Sequence, residues 1–105
     1  MKGYQQGDVL LKLVAGLPQG VKAVSATAGR YILAEGEATG HAHAVLVCPA
    51  VKMYERGGTL YLQVTEETEV VHEEHHKQTV APGVYEIGRV VEVDPFENAI
   101  RAVAD

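Results

Sequence analysis

A chain of 105 residues, 47% hydrophobic, has room for a single domain (1–105) that buries roughly 65% of the surface its unfolded form exposes. Its net charge of −5 and pI near 5.5 offer no basic surface to neutralise phosphate, so neither nucleic acid nor an anionic membrane is an expected partner. No apolar run approaches the ~20 residues that cross a bilayer, the start Met1-Lys2-Gly3-Tyr4-Gln5-Gln6-Gly7-Asp8 lacks a signal-peptide core, and a lone Cys48 closes no internal disulfide; a cytoplasmic location is expected.

Asp8 to Val14 reads as a short strand between Gly7 and the turn-forming stretch Gly16-Leu17-Pro18-Gln19-Gly20. Val21 to Ala28 is open between a weak strand and a loop. Arg30 to Glu37 is a strand with Tyr31, Leu33, Glu35 and Glu37 on one face and Ile32 and Ala34 on the other. A three-residue loop, Ala38-Thr39-Gly40, gives Gly40 the left-handed position of a turn plus bulge. It sets Glu37 opposite His41 and Glu35 opposite His43, all on one face. A two-residue Thr39-Gly40 loop would instead put the glutamates on the face opposite the histidines.

Val45-Leu46-Val47-Cys48 then carries this strand into the core until Pro49 ends it. Val51 to Val64 is the clearest hairpin. Gly57-Gly58 supplies both positive-φ residues of a two-residue turn, pairing Arg56 with Thr59, Tyr54 with Tyr61 and Met53 with Leu62. Val51, Met53, Leu60, Leu62 and Val64 form its core face. Thr65 to Glu69 is an acidic connector, and Val70 to Val80 carries a second histidine cluster. Pro82-Gly83 fits the centre of a type II turn before a long strand from Val84 to Val93, in which Gly88 suggests a bulge or a close backbone approach. Asp94 as N-cap, Pro95 at the first helical position, Glu97 three residues after the cap, and Phe96, Ile100 and Val103 at helical spacing predict a short C-terminal helix. The expected fold is all-β, a small antiparallel barrel or roll of about six to eight strands with that helix at its end.

The five histidines, His41, His43, His72, His75 and His76, all fall between residues 41 and 76, with Glu35, Glu37, Glu73 and Glu74 beside them. His-x-His on a strand sets two imidazoles on one face with Cα atoms about 7 Å apart, close enough to share one ion. With His72 and His75 from the second cluster, this points to a divalent transition metal held by His41, His43, His72 and His75. Imidazole and carboxylate suit zinc, iron, nickel or manganese. Glu37 and Glu73 are the candidate catalytic groups, as bases on a metal-bound water or as partners fixing imidazole tautomers. His76 cannot share a strand face with its neighbour His75. His72-Glu73-Glu74-His75-His76 also spells the zincin string His-Glu-x-x-His, but that motif needs a helix, which Val70-Val71 before it and Thr79-Val80 after it oppose. A cupin strand needs a glutamate beyond its second histidine, where this chain has Val47, Cys48 and Pro49.

Three blocks resemble a group of small, uncharacterised bacterial proteins: Gly-Glu-x-Thr-Gly-His-x-His, His-Glu-Glu-His and Pro-Gly-x-Tyr, carried here by Gly36, Glu37, Thr39, Gly40, His41, His43, His72 to His75, Pro82, Gly83 and Tyr85. The likeness extends to an ending like Asp94-Pro95-Phe96-Glu97 through Arg101-x-Val103-Ala104-Asp105. Where that group usually carries Gln-Arg-Glu-Tyr, this chain has Gly88-Arg89-Val90-Val91. The resemblance implies which residues form the site and names no reaction.

Two further classes of function fit the same residues. A small β-domain rich in strand edges can serve as a non-catalytic assembly subunit, a homo-oligomer with His/Glu pairs at its interface. A His-Glu pair in a cleft can act as a metal-free acid-base catalyst, although no nucleophile or oxyanion motif accompanies it. The residue types leave enzymatic activity open.

Overall fold

The computed structural model describes residues 3–35, 41–73, 75–89, 91–94 and 99–102. Every strand pairing among them is antiparallel. Ten strands form two sheets. The larger contains β1 (Gly3–Gln6), β2 (Val9–Val14), β3 (Lys22–Ala23), β6 (Val51–Arg56), β7 (Thr59–Val64) and β10 (Gly83–Arg89), in the order β1-β2-β10-β7-β6-β3. The smaller contains β4 (Arg30–Glu35), β5 (Ala42–Leu46), β8 (Thr68–Val71) and β9 (Gln78–Val80), in that order. Two open sheets of ten strands, not the expected closed barrel of about six to eight, are therefore the main architecture among the described residues, beside a separate two-stranded sheet at the C-terminal end.

Alternation along the strands explains why the two sheets adhere. In β2, Val9 and Leu11 are buried while Lys12 is exposed; in β6 and β7, Val51, Met53, Leu62 and Val64 turn inward. From the smaller sheet Tyr31, Leu33, Val45, Val70 and Val80 meet them in one apolar cluster that Tyr85 of β10 completes. Each fully buried Val or Leu contributes about 1.5–3 kcal/mol of transfer free energy, so this shared core is what holds the layers together.

The β6–β7 hairpin has the expected register, Arg56 against Thr59, Tyr54 against Tyr61 and Met53 against Leu62, with φ of 58° at Gly57 and 84° at Gly58. A second tight turn precedes it in the chain. Gln6 pairs with Val9 across Gly7-Asp8, and Gly7 has φ of 59°, as the first central residue of a type II′ turn requires. This turn creates β1, a strand that the reading of Asp8 to Val14 alone does not anticipate.

Four further expectations change. The first concerns the β4–β5 register, which shifts by one residue between Ile32 and Ala34; Ala34 then opposes His43 and Glu35 opposes Ala42. The extra residue, Leu33, behaves as a β-bulge. A one-residue slip moves every later side chain to the other face. Glu35 is consequently exposed while His43 is buried, and the expected Glu35–His43 pair does not form. Glu37 and the loop at 38–40 lie outside the described residues.

Secondly, Pro82-Gly83 does not close a hairpin. β9 and β10 belong to different sheets, and Gly83 has φ of 158°, far from the about +80° of a type II turn. A Cβ at Gly83 would lie 2.8 Å from Leu13 Cδ1, which gives this crossover its own reason for glycine. Thirdly, Gly88 continues the β10–β2 ladder opposite Leu10 without a shift, and a Cβ added there would meet nothing within 4 Å.

Lastly, the C-terminal helix gives way to a hairpin of β11 (Val91–Asp94) and β12 (Ala99–Ala102), and no helix occurs among the described residues. A helix of about ten residues is marginal without tertiary support. Pairing Val91-Glu92-Val93-Asp94 with Ala99-Ile100-Arg101-Ala102 satisfies backbone groups of both segments at once.

Candidate metal centre

Two separate stretches of chain build the site. β5 contributes His43, which shares the inward face with Val45 and is wholly buried. β8 leads directly into His72, and the connection between β8 and β9 supplies His75. One ring nitrogen from each of His43, His72 and His75 lies within 4.8 Å of the other two. Ring centroids are 4.3 Å apart for His43 and His72, 4.6 Å for His72 and His75, and 5.6 Å for His43 and His75. Zinc–imidazole bonds of ~2.0–2.1 Å at tetrahedral angles would set the nitrogens about 3.4 Å apart, so an ion would require a closure of at most about 1.4 Å. Side-chain torsions of histidines on a strand end and a loop can supply that.

The loop bearing His72 is fastened to β5. Ala44 pairs with Val71 and Val45 with Val70, so continuing the ladder would bring Glu73 opposite Ala42. The strand stops at Val71, and the Glu73 carboxylate takes over: its Oε1 accepts the Ala42 N–H at 3.0 Å. Backbone N–H bonds to this carboxylate, from Ala42 first and then from its own residue, hold its pKa below the ordinary value despite some desolvation; His41 and His72 act in the same direction. Glu73 therefore carries its negative charge beside the histidines at neutral pH.

The structure places the remaining expected ligands differently. His41 stays outside the group of three, half-buried, with its ring edge-on to His72 at a centroid distance of 5.8 Å. His41 precedes β5, whereas His43 lies inside it. His76 is exposed, and its contribution is a backbone carbonyl. Of the two candidate catalytic glutamates, Glu73 stands next to the site and Glu37 lies outside the described residues. The segment from His72 to His76 is a loop where described, not the helix that a zincin needs.

Sequence reasoning missed Gln6. At the end of β1 it is 2% exposed and reaches across from the larger sheet into the smaller one. Its Nε2 donates to the carbonyls of Val70 at 3.0 Å and His76 at 2.9 Å, and its Oε1 lies 2.8 Å from His43 Nδ1. One side chain thus touches the backbone on both sides of the His72–His75 loop and the ring of the buried histidine. The readable signal was Gly7-Asp8, a glycine-first pair of the kind that closes a hairpin, with Tyr4-Gln5-Gln6 before it and Val9-Leu10-Leu11 after it. Close by, Asp8 is buried and accepts from Arg89 Nη1 at 2.6 Å, pinning the start of β2 to the end of β10.

No helix of the described residues is long and apolar enough to cross a membrane. No curated protein and no solved structure matches the chain. A family model matches residues 5–90, a span that takes in Gln6 and all five histidines, and the chain belongs to that family, the domain of unknown function DUF8820.

Proposed function

We propose that this domain binds a divalent transition metal through His43, His72 and His75. The observation that carries the reading is the convergence, within 4.8 Å, of three imidazole nitrogens from β5 and from the stretch that follows β8. Histidines remote in sequence gain little from clustering in a partly buried place unless something shared lies between them, since each protonated ring would repel the others. An all-imidazole set suits zinc, iron or nickel; manganese, with its preference for oxygen, fits less well.

The surroundings support the same reading. Three neutral imidazoles leave the charge of a dication uncompensated, and the ionised Glu73 sits next to His72. Three protein ligands also leave a tetrahedral position for water or a substrate oxygen, the plan of catalytic zinc sites as opposed to closed structural ones. Glu73 would then be the carboxylate to accept a proton from a water bound there or to orient it.

The test uses untagged protein. After loading with zinc and removal of excess, about one equivalent should remain bound. Zinc at roughly 100 times its dissociation constant should add about 2.7 kcal/mol of stability, a rise in Tm on the order of 10 °C. Retention of less than roughly a tenth of an equivalent of zinc, iron or nickel, with no rise in Tm, would remove the proposal.

A further inference from the structure

We infer that Gln6 is a positioning residue that locks His43 in the Nδ1–H tautomer, so that Nε2 carries the lone pair and is the atom His43 offers to a ligand. This rests on the metal reading only for its purpose; the tautomer itself is a property of the metal-free protein.

A glutamine side chain has a donor end and an acceptor end of nearly equal size, and its orientation follows from its neighbours. Here one end lies 3.0 Å from the Val70 carbonyl oxygen and 2.9 Å from that of His76. Both carbonyls accept only. The group facing them must be the NH2, whose two hydrogens are used one on each; the reverse orientation would bring three oxygens together in a buried place. The opposite end is therefore the oxygen, and it lies 2.8 Å from His43 Nδ1.

An amide oxygen has no hydrogen, so the proton between these atoms belongs to Nδ1. A neutral imidazole carries one ring proton, which leaves Nε2 with its lone pair. The orienting side chain is itself immobilised: Gln6 is 2% exposed, its amide makes three bonds, and the Gly7-Asp8 turn fixes the strand end that bears it.

The choice of an amide has a consequence for the ligand. A carboxylate at this place would draw the Nδ1 proton and make the imidazole more basic; the neutral amide orients the ring without adding charge. The same side chain fastens Val70 and His76, the residues that bracket the His72–His75 loop. One residue of the larger sheet thus sets the direction of one ligand and the position of the loop that holds the other two.

The experiment is long-range 1H–15N correlation of the histidine rings in metal-free protein at about pH 8, above the ordinary imidazole pKa of ~6.5. His43 should show a protonated-type Nδ1 and an unprotonated-type Nε2, opposite to the Nε2–H form that free histidine favours in water. Gln6→Leu should lose that pattern and weaken zinc binding by about 10–100-fold. Gln6→Glu separates tautomer control from fastening, because it keeps an acceptor for Nδ1–H while giving up at least one donor to the carbonyls. Retention of the Nδ1–H pattern in Gln6→Glu and its loss in Gln6→Leu supports the role. An Nε2–H ring in the wild-type protein overturns it, and so does identical ring behaviour in the two variants. If the wild-type ring is Nδ1–H and zinc does not bind, the metal reading falls and the Gln6 assignment stands. If zinc binds and the ring is Nε2–H, the reverse holds. The wild-type spectrum decides the assignment even where a variant fails to fold.

Discussion

The β6–β7 hairpin and the histidine site are both made of short strands, yet they are specified in opposite ways. In the hairpin, Gly57-Gly58 and the alternation of Val51, Met53, Leu62 and Val64 agree, and the register follows from about fourteen neighbouring residues. In the site, His43 is held by Gln6 from 37 positions away, and the loop after β8 is held by Gln6 and by Ala42. Local turn chemistry is sufficient for the first. The second exists only once two sheets have packed, so its geometry depends on the core while the core does not depend on it.

The largest way to break that relation is through the core. Leu62 is wholly buried in the hairpin and faces the smaller sheet across the shared cluster. Leu62→Ala should cost about 2–5 kcal/mol and lower Tm on the order of 10–20 °C, read by thermal unfolding. It should weaken zinc binding as well, because the sheets that carry the ligands lose their common support.

The converse variant sharpens the comparison. His72→Ala should abolish the zinc-dependent rise in Tm, on the order of 10 °C in the wild type, while shifting the Tm of the metal-free protein much less than Leu62→Ala does. Paired scans with zinc and with a chelator separate the two effects.

Tyr85 is a long-range contact of intermediate kind. Its hydroxyl donates to the Ala81 carbonyl at 2.6 Å, while the Tyr4 hydroxyl accepts the Ala81 N–H at 3.1 Å, so strands distant in sequence meet at one residue. Burial, and then the neighbouring Tyr4, push the Tyr85 phenol above its ordinary value of 10. A raised pKa means that the folded state holds the proton more tightly. The associated stability is complete below pH 10 and is lost as pH rises through the folded-state value. The Tm of the wild type should therefore fall more steeply above pH 10 than that of Tyr85→Phe, which has no proton to lose there.

The smallest effect concerns turn chemistry alone. Thr27 pairs with Arg30 around Ala28-Gly29, whose φ values of 51° and 77° are both left-handed. Gly57-Gly58 meets the same demand with two glycines, whereas Ala28 meets it with a Cβ. Ala28→Asn should raise stability by a few tenths to about 1 kcal/mol, measured by urea unfolding, with zinc affinity unchanged.

These contrasts also explain what the sequence discloses. The β-rich character and the Gly-Gly hairpin are legible because side-chain period and turn residues are local signals. The chemistry of the site is legible too, as histidines confined to two short segments. Its geometry is not. The bulge at Leu33 moves Glu35 to the face opposite His43, and no residue type near it announces the shift. Gln6 belongs to a strand visible only if Gly7-Asp8 is taken as a turn instead of a boundary. At the C-terminus, Phe96, Ile100 and Val103 keep helical spacing while Val91 and Val93 alternate, and strand pairing between 91–94 and 99–102 prevails.

The central claim is that His43, His72 and His75 together hold one metal ion, and X-ray absorption on the zinc-loaded, untagged protein tests it most directly. A single zinc environment with three imidazole nitrogens at ~2.0–2.1 Å is expected, reduced to two in His72→Ala. A wild-type shell with fewer than three imidazoles, or one that His72→Ala leaves unchanged, would contradict it.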